Sequence, residues 1–230
     1  MLWRGPGVAG GAASGAAGAM VASHNKGGQY VRARTTPTNP RSAFQTDVRN
    51  SLTNLASAWS SSLTQNQREA WDIYATNVSR FNRLGDSIHI SGIAWFVACN
   101  TPRLQAGLSR VNDAPVNFDQ GDIGTTPNAL FAAGGSSATI TLNPADNWNG
   151  TNGSNNNMLL YASRPQNEGI NFFNGPYRLA AVISNRTTSS VIVTLPFAAG
   201  PADSSIFFAF RISRGDGRLS GRATFLGTAS

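Results

Sequence analysis

In 230 residues the chain has one cysteine (Cys99), one lysine (Lys26) and two histidines (His24 and His89). A single cysteine excludes an intrachain disulfide, and with it a disulfide framework. Neither histidine has a Cys, a second His or a pair of acids at ligand spacing, so no metal motif is written. No run approaches the ~20 apolar residues that a membrane-spanning helix needs. The stretch Val8–Met20 is made of small residues with no core of Leu, Ile or Val, and reads as an arm rather than a signal peptide. Charged residues are scarce at 13%, about half the usual share. The polar surface must therefore be Asn, Ser, Thr, Gln and Gly, without the like-charge repulsion that keeps monomers apart. An arginine-biased codon usage, seventeen Arg to one Lys, accounts for the same composition equally well.

Acids are missing altogether before Asp47, while the first 41 residues hold Arg4, Lys26, Arg32, Arg34 and Arg41. The net charge is +7. Residues 42–113, with six basic and five acidic side chains, and 114–230, with seven and six, add only +1 each. A Gly/Ala-rich cationic arm with no core of its own, on a balanced body, belongs on a partner.

Three zones follow one another: an extended basic arm over 1–40, a helical domain over 41–113 and a β-sandwich over 114–230. The arm exits through Thr35-Thr36-Pro37-Thr38-Asn39-Pro40, where each proline biases its predecessor away from helix. Phe44, Val48, Leu52, Leu55 and Trp59 share one helical stripe, with Asn39 and Pro40 at its start. Thr64-Gln65-Asn66-Gln67 spells a capping box, followed by the apolar face Trp71, Tyr74, Ala75 and Val78. The two helices, joined at Ser60–Leu63, should form an antiparallel hairpin. Ile88–Ile90 suits a short strand. Ser91–Leu108 reads as a third helix with Ile93, Phe96, Val97 and Leu104 inward and a kink or break at Pro102.

From Ala114 the period changes. Apolar runs at Ala138–Leu142, Met158–Ser163, Tyr177–Ser184, Ser190–Leu195, Ser205–Ser213 and Leu219–Leu226 are separated by Asn/Gly/Pro-rich turns. Ile206, Phe208, Phe210 and Ile212 alternate with Phe207, Ala209 and Arg211, as a strand with one buried face requires. Asp216-Gly217 marks a hairpin turn. Six or seven strands in this length predict an antiparallel β-sandwich of immunoglobulin or fibronectin III type, and the whole chain is α+β.

The catalytic inventory is thin, and the expectation is no enzyme, no cofactor, no metal and no catalytic residue. Cys99, beside Phe96 and Val97, reads as a small buried hydrophobe, and His89 as a partly buried structural histidine. Asp119 and Asp122 flank Gly121 as solvated acids, not as a catalytic pair. Gly5-Pro6-Gly7-Val8-Ala9-Gly10 fits G-x-G-x-x-G without the strand and helix that a dinucleotide site needs. Arg214-Gly215-Asp216 spells an adhesion tripeptide on a hairpin tip. Sequons begin at Asn77, Asn149, Asn152 and Asn185, as expected in a chain rich in Asn, Ser and Thr. Trp148, in the Asn-rich loop, is either a loop anchor or a stacking platform for a carbohydrate.

The candidate binding residues lie in the arm: Lys26, Gly27, Gly28, Tyr30, Val31, Arg32, Arg34 and Arg41. Their charges are sparse for a nucleic-acid arm, and no recognition fold follows, so a protein surface is favoured. Ser23-His24-Asn25-Lys26-Gly27-Gly28-Gln29-Tyr30-Val31-Arg32, then Thr36-Pro37-Thr38-Asn39-Pro40, Gln45 and Arg49, then Ala58-Trp59, Leu63-Thr64-Gln65, Gln67-Arg68 and Ala70-Trp71, resemble an uncharacterised family of structural proteins in tailed bacteriophages and prophages. The resemblance covers residues 18–110 and leaves out the Ala/Gly stretch before Ser23. It implies a virion component, above all a capsid decoration or cement protein, made in the bacterial host cytoplasm. A tail, neck or baseplate component is the alternative, and a carbohydrate- or surface-binding module the alternative of another class. The implied partners are the major capsid protein or other virion proteins and further copies of the chain, without nucleic acid or membrane. Physically, Gly27-Gly28 permits close backbone approach, Tyr30-Val31 can add to a sheet edge, and Arg32 and Arg34 can pair with acids of the partner.

Overall fold

The computed structural model describes residues 14–25, 28–36, 39, 41–81, 86–121, 123–148, 155–184 and 189–229. The chain divides into two compact units, Met1–Ser42 and Ala43–Ser230. The first is not a single extended strand between residues 15 and 33. β1 (Gly15–Ala17), β2 (Met20–Asn25) and β3 (Gly28–Ala33) fold back on each other as an antiparallel meander in that order. Gly18, at φ +56, supplies the left-handed turn between β1 and β2, which a residue with a Cβ resists. Asn25 faces Gly28 in register, so two residues separate β2 from β3.

The second unit holds both the helices and the large sheet. α2 (Gln65–Asn77) begins at its sequence signal, whereas α1 (Ala43–Ser61) begins after the Asn39-Pro40 start expected for it. Thr64 accepts from the Gln67 backbone N–H at 3.3 Å while the Gln67 side chain accepts from the Thr64 N–H at 2.9 Å, completing the capping box. The two helices do not pack on each other as a hairpin. α3 (Gly92–Gln105) packs against both, and they meet chiefly through it. Arg68 of α2 caps the end of α1 instead, donating to the carbonyls of Trp59 (3.0 Å) and Leu63 (2.9 Å).

The α2–α3 contact is tight enough to need a glycine. A Cβ on Gly92 would lie 2.7 Å from the Asp72 backbone nitrogen. Ser91 makes no side-chain cap, and the Asp72 carboxylate accepts from the Gly92 N–H at 3.2 Å in its place, a negative group at a helix N-terminus. α3 runs through Pro102 to Gln105 without a break. It faces inward with Trp95, Phe96, Cys99, Asn100 and Arg103, whereas Ile93 is exposed. The α1 stripe is likewise shorter than expected: Leu55 is buried, but Leu52 is exposed. The short strand near Ile88 is present, β5 (Ser87–Ile88) pairing with β4 (Arg80–Phe81).

The remaining strands are β6 (Asn128–Phe131), β7 (Ser137–Thr141), β8 (Asn157–Ala162), β9 (Gln166–Asn167), β10 (Arg178–Ser184), β11 (Ser190–Thr194), β12 (Ser204–Ser213) and β13 (Ala223–Ala229). Their order is β10-β8-β12-β13-β6-β7-β11, with β9 on β12. All pairs are antiparallel except β13–β6, and the sheet is nearly closed into a barrel. The curved sheet encloses a core of Phe131, Ile140, Met158, Leu160, Phe208, Phe210 and Phe225. Phe208 stacks on Phe225 with ring centres 5.3 Å apart.

β12 departs from simple alternation. Phe207 and Ala209 are buried along with Ile206, Phe208, Phe210 and Ile212. Phe173 stacks on Phe207 at 5.7 Å and covers that outer position. Beyond β12, Leu219 joins the helical core of Trp71, Tyr74 and Phe96. The Asp216-Gly217 turn is present, with Gly217 at φ +94 and the Gly217 N–H donating to Arg214 at 3.0 Å.

Two buried polar groups of α3 lock the helices to this end of the sheet. Asn100 donates to the carbonyls of Phe96 and Val111 (both 3.0 Å) and accepts from the Val111 N–H at 2.8 Å. Arg103 donates to Ser109 O (3.0 Å), Ser213 Oγ (2.8 Å) and Arg214 O (3.0 Å). Burial lowers its pKa. Replacing Arg103 by Met strands three acceptors, so Arg103→Met should lower unfolding stability by about 2–4 kcal/mol in urea titration. Arg103→Lys should restore only part of it, because an ammonium lacks the fork.

Candidate interaction surfaces

The residues with catalytic potential are dispersed. His89 is exposed, and its Nδ1 donates to the Ala75 carbonyl at 3.2 Å. Asp119 accepts from the Gly121 N–H at 3.0 Å, and Asp122 lies outside the described residues. Among the described residues, no three His, Cys, Asp or Glu side chains are placed to hold a metal. Cys99 is buried in the helical core. Its thiol is pushed up to about 12, first by burial. Burial also raises Tyr74.

Two sequence-level sites are closed by packing. Trp148 is fully buried in the sandwich core and presents no face to a sugar. Arg214 is buried as well, so the Arg214-Gly215-Asp216 tripeptide does not display its arginine, while the exposed Asp216 is paired with Arg218 at 2.6 Å. Asn77, the one described sequon asparagine, donates to the Ile73 carbonyl at 2.8 Å. Asn149, Asn152, Asn185 and the segment Gly5–Gly10 lie outside the described residues.

The predicted arm residues come together in one strand. Tyr30, Val31 and Arg32 sit in β3, opposite Ser23, Ala22 and Val21 of β2. Alternation puts Tyr30 and Arg32 on one face and Val31 on the other. Gly28 opens the strand, and the Arg34 N–H donates to the Ala19 carbonyl at 2.7 Å, extending the ladder. Arg41 stands apart at φ 46, its N–H bonded to Asn39 Oδ1 at 3.3 Å. Lys26, Gly27, Pro37, Thr38 and Pro40 lie outside the described residues. Sequence reasoning placed Tyr30-Val31 on a foreign sheet edge, but one edge of their strand is already paired with β2. The missed signal was Asn25-Lys26-Gly27-Gly28, which reads as a hairpin loop.

None of the meander's described side chains is buried. Met20, Val31 and Arg32 are exposed, and Val21, Ala22, Ser23 and Tyr30 are half-buried. A two-stranded hairpin is marginal in water, and a small sheet needs an apolar face packed against something. β1 and β3 are edge strands, each paired on one side only within the meander.

A second surface lies on the three-stranded face of the sandwich. Thr228, Leu130, Thr139 and Ile192 are register neighbours across β13, β6, β7 and β11. Ile192 is 75% exposed and Leu130 41% exposed. The flanking outward residues Asn128, Ser137, Thr141, Ser190 and Thr194 are uncharged. A flat face without charge lacks the gatekeepers that keep sheets apart.

The Cys99 thiol rises from 9.0 to about 12, so the folded state favours the protonated form. Its stabilising effect is complete below about pH 9 and is lost as pH climbs towards about 12. A disulfide reagent at pH 8 should therefore leave the folded protein unmodified and titrate one thiol after denaturation; stoichiometric reaction of native protein refutes the burial. No protein-family model, no curated protein and no solved structure matches this chain.

Proposed function

We propose that the chain is an assembly protein of a tailed-phage virion, in the first place a capsid decoration or cement protein. The observation that carries this reading is the meander over 15–33, which buries none of its described side chains. Such a sheet gains its apolar cover from a neighbour, and its cationic strand β3 offers a backbone edge together with Arg32. The partner is the major capsid protein or another virion protein, and the uncharged face around Leu130 and Ile192 suits contact with further copies of the chain. The sandwich is of fibronectin III type: three strands face four, and its first strand, β6, runs parallel to its last, β13, in support of that reading. A protein of this kind works by binding, because a ligand that holds only the assembled shell stabilises the shell by mass action. The protein is made in the bacterial host cytoplasm and resides in the virion.

A tail, neck or baseplate position would use the same surfaces, and negative-stain imaging of the labelled particle separates it from the capsid. Deleting residues 1–40 should weaken attachment to particles by at least about 100-fold, the scale lost when one of two linked contacts is removed. Circular dichroism and the melting of the remaining body should stay unchanged. Full occupancy by the truncated protein would sink the proposal.

A further inference from the structure

A cleft of about 650 Å³ opens between α1, α3, β4 and the segment joining β12 to β13. Leu52, Trp95 and Leu219 form part of its apolar lining, and Arg80, Arg211 and Arg222 also line it. No Asp or Glu is among its described lining residues. The three cations differ in exposure. Arg80 and Arg222 are exposed, whereas Arg211 is half-buried, on the outward side of β12.

Arg211 is the anomaly. Its Nε is buried and has no hydrogen-bond partner, a position that costs stability. Burial lowers its pKa, and the nearby positive charges of Arg80 and Arg222 act in the same direction, against the opposing influence of Tyr161 and Cys99. A guanidinium remains charged nonetheless. Arg103 shows what a buried arginine in this fold has when its partners are present: three acceptors within 3.0 Å. Arg211 has like charges around it instead.

Of the other two arginines, Arg222 is held by its side chain. Arg222 donates to Asn174 Oδ1 at 2.9 Å and lies over the Tyr177 ring at 5.6 Å. The backbone of Arg80 is placed on β4 by its register with Ile88 of β5, and its side chain lines the cleft. Guanidinium forks beside an apolar wall match a carboxylate or phosphate carried on an apolar group. A solvated arginine face would explain Arg80 and Arg222, but not a buried Nε at the same cleft.

We infer that this cleft is an oxyanion-binding site, in which Arg211, Arg80 and Arg222 together receive a carboxylate or phosphate group whose apolar carrier rests on Leu52, Trp95 and Leu219. The site is independent of the virion reading and would stand in a protein with another role.

Calorimetric titration of the full chain with phenyl phosphate and with benzoate, at matched ionic strength, tests it. One saturable site for at least one probe is expected. Preference for phenyl phosphate would identify a phosphate-bearing ligand, and preference for benzoate a carboxylate-bearing one. Arg80→Gln and Arg222→Gln, both at exposed positions, should each weaken binding about tenfold. Arg211→Met should abolish binding without lowering the melting temperature, since it removes an unpaired buried charge. Should that variant fail to fold, the two exposed variants still decide the question. Absence of saturable binding by either probe, or unchanged affinity in both exposed variants, would overturn the site.

Discussion

The fold depends on burying both faces of one strand. β12 contributes Phe208 and Phe210 to the sandwich core, while on its other side Phe207 lies beneath Phe173. A ten-residue strand with two dry faces cannot exist in an isolated sandwich with one wet side. It therefore requires a second layer, which the helices and the loop around Phe173 provide. Arg103 and Asn100 make that layer specific rather than merely greasy. Their polar atoms are satisfied only when α3, the segment to Val111 and the end of β12 stand in one arrangement.

This coupling explains why the helices and the sandwich form one compact unit despite the change in sequence period at Ala114. The boundary suggested by periodicity is a change of secondary structure, not a gap in packing. Leu219, far along the β region, completes the helical core. None of the meander's described side chains is buried, and its apolar side chains Met20 and Val31 are exposed.

Much of the body was legible because it obeys local rules. Thr64 and Gln67 announce the α2 cap, and Trp71, Tyr74, Ala75 and Val78 fall where a 3.6-residue period puts them. The strand runs at Ala138, Met158, Ser190 and Ser205 were legible from β-branched and aromatic density. What escaped was set by tertiary contact. β6 is four residues with only Ala129 and Phe131 inward, too short for a period to show. Ile93 lost to Trp95 and Phe96 in the contest for the inner face of α3. Arg211 matched the polar half of an alternating strand, and nothing local revealed that its Nε would be buried. Trp148 sat in an Asn-rich stretch that looked exposed, yet the core claimed it. The arm was half legible: Tyr30, Val31 and Arg32 share a strand, while its pairing with β2 depends on contacts that no local period shows.

The parallel β13–β6 pair also sets a schedule. Thr228 pairs with Leu130, so the longest loop closed by strand pairing in the sheet closes with its final strand. A pairing of such long sequence separation pays its loop-closure entropy before any contact rewards it. Until β13 arrives, β6 and β12 each lack a neighbour, and Phe225 is absent from between Phe208 and Phe210. The nascent chain therefore passes through a stage with an open sheet and an unfilled aromatic core. At that stage the near absence of charge on the β6-β7-β11 face is a hazard, because nothing on it repels another chain in the same condition.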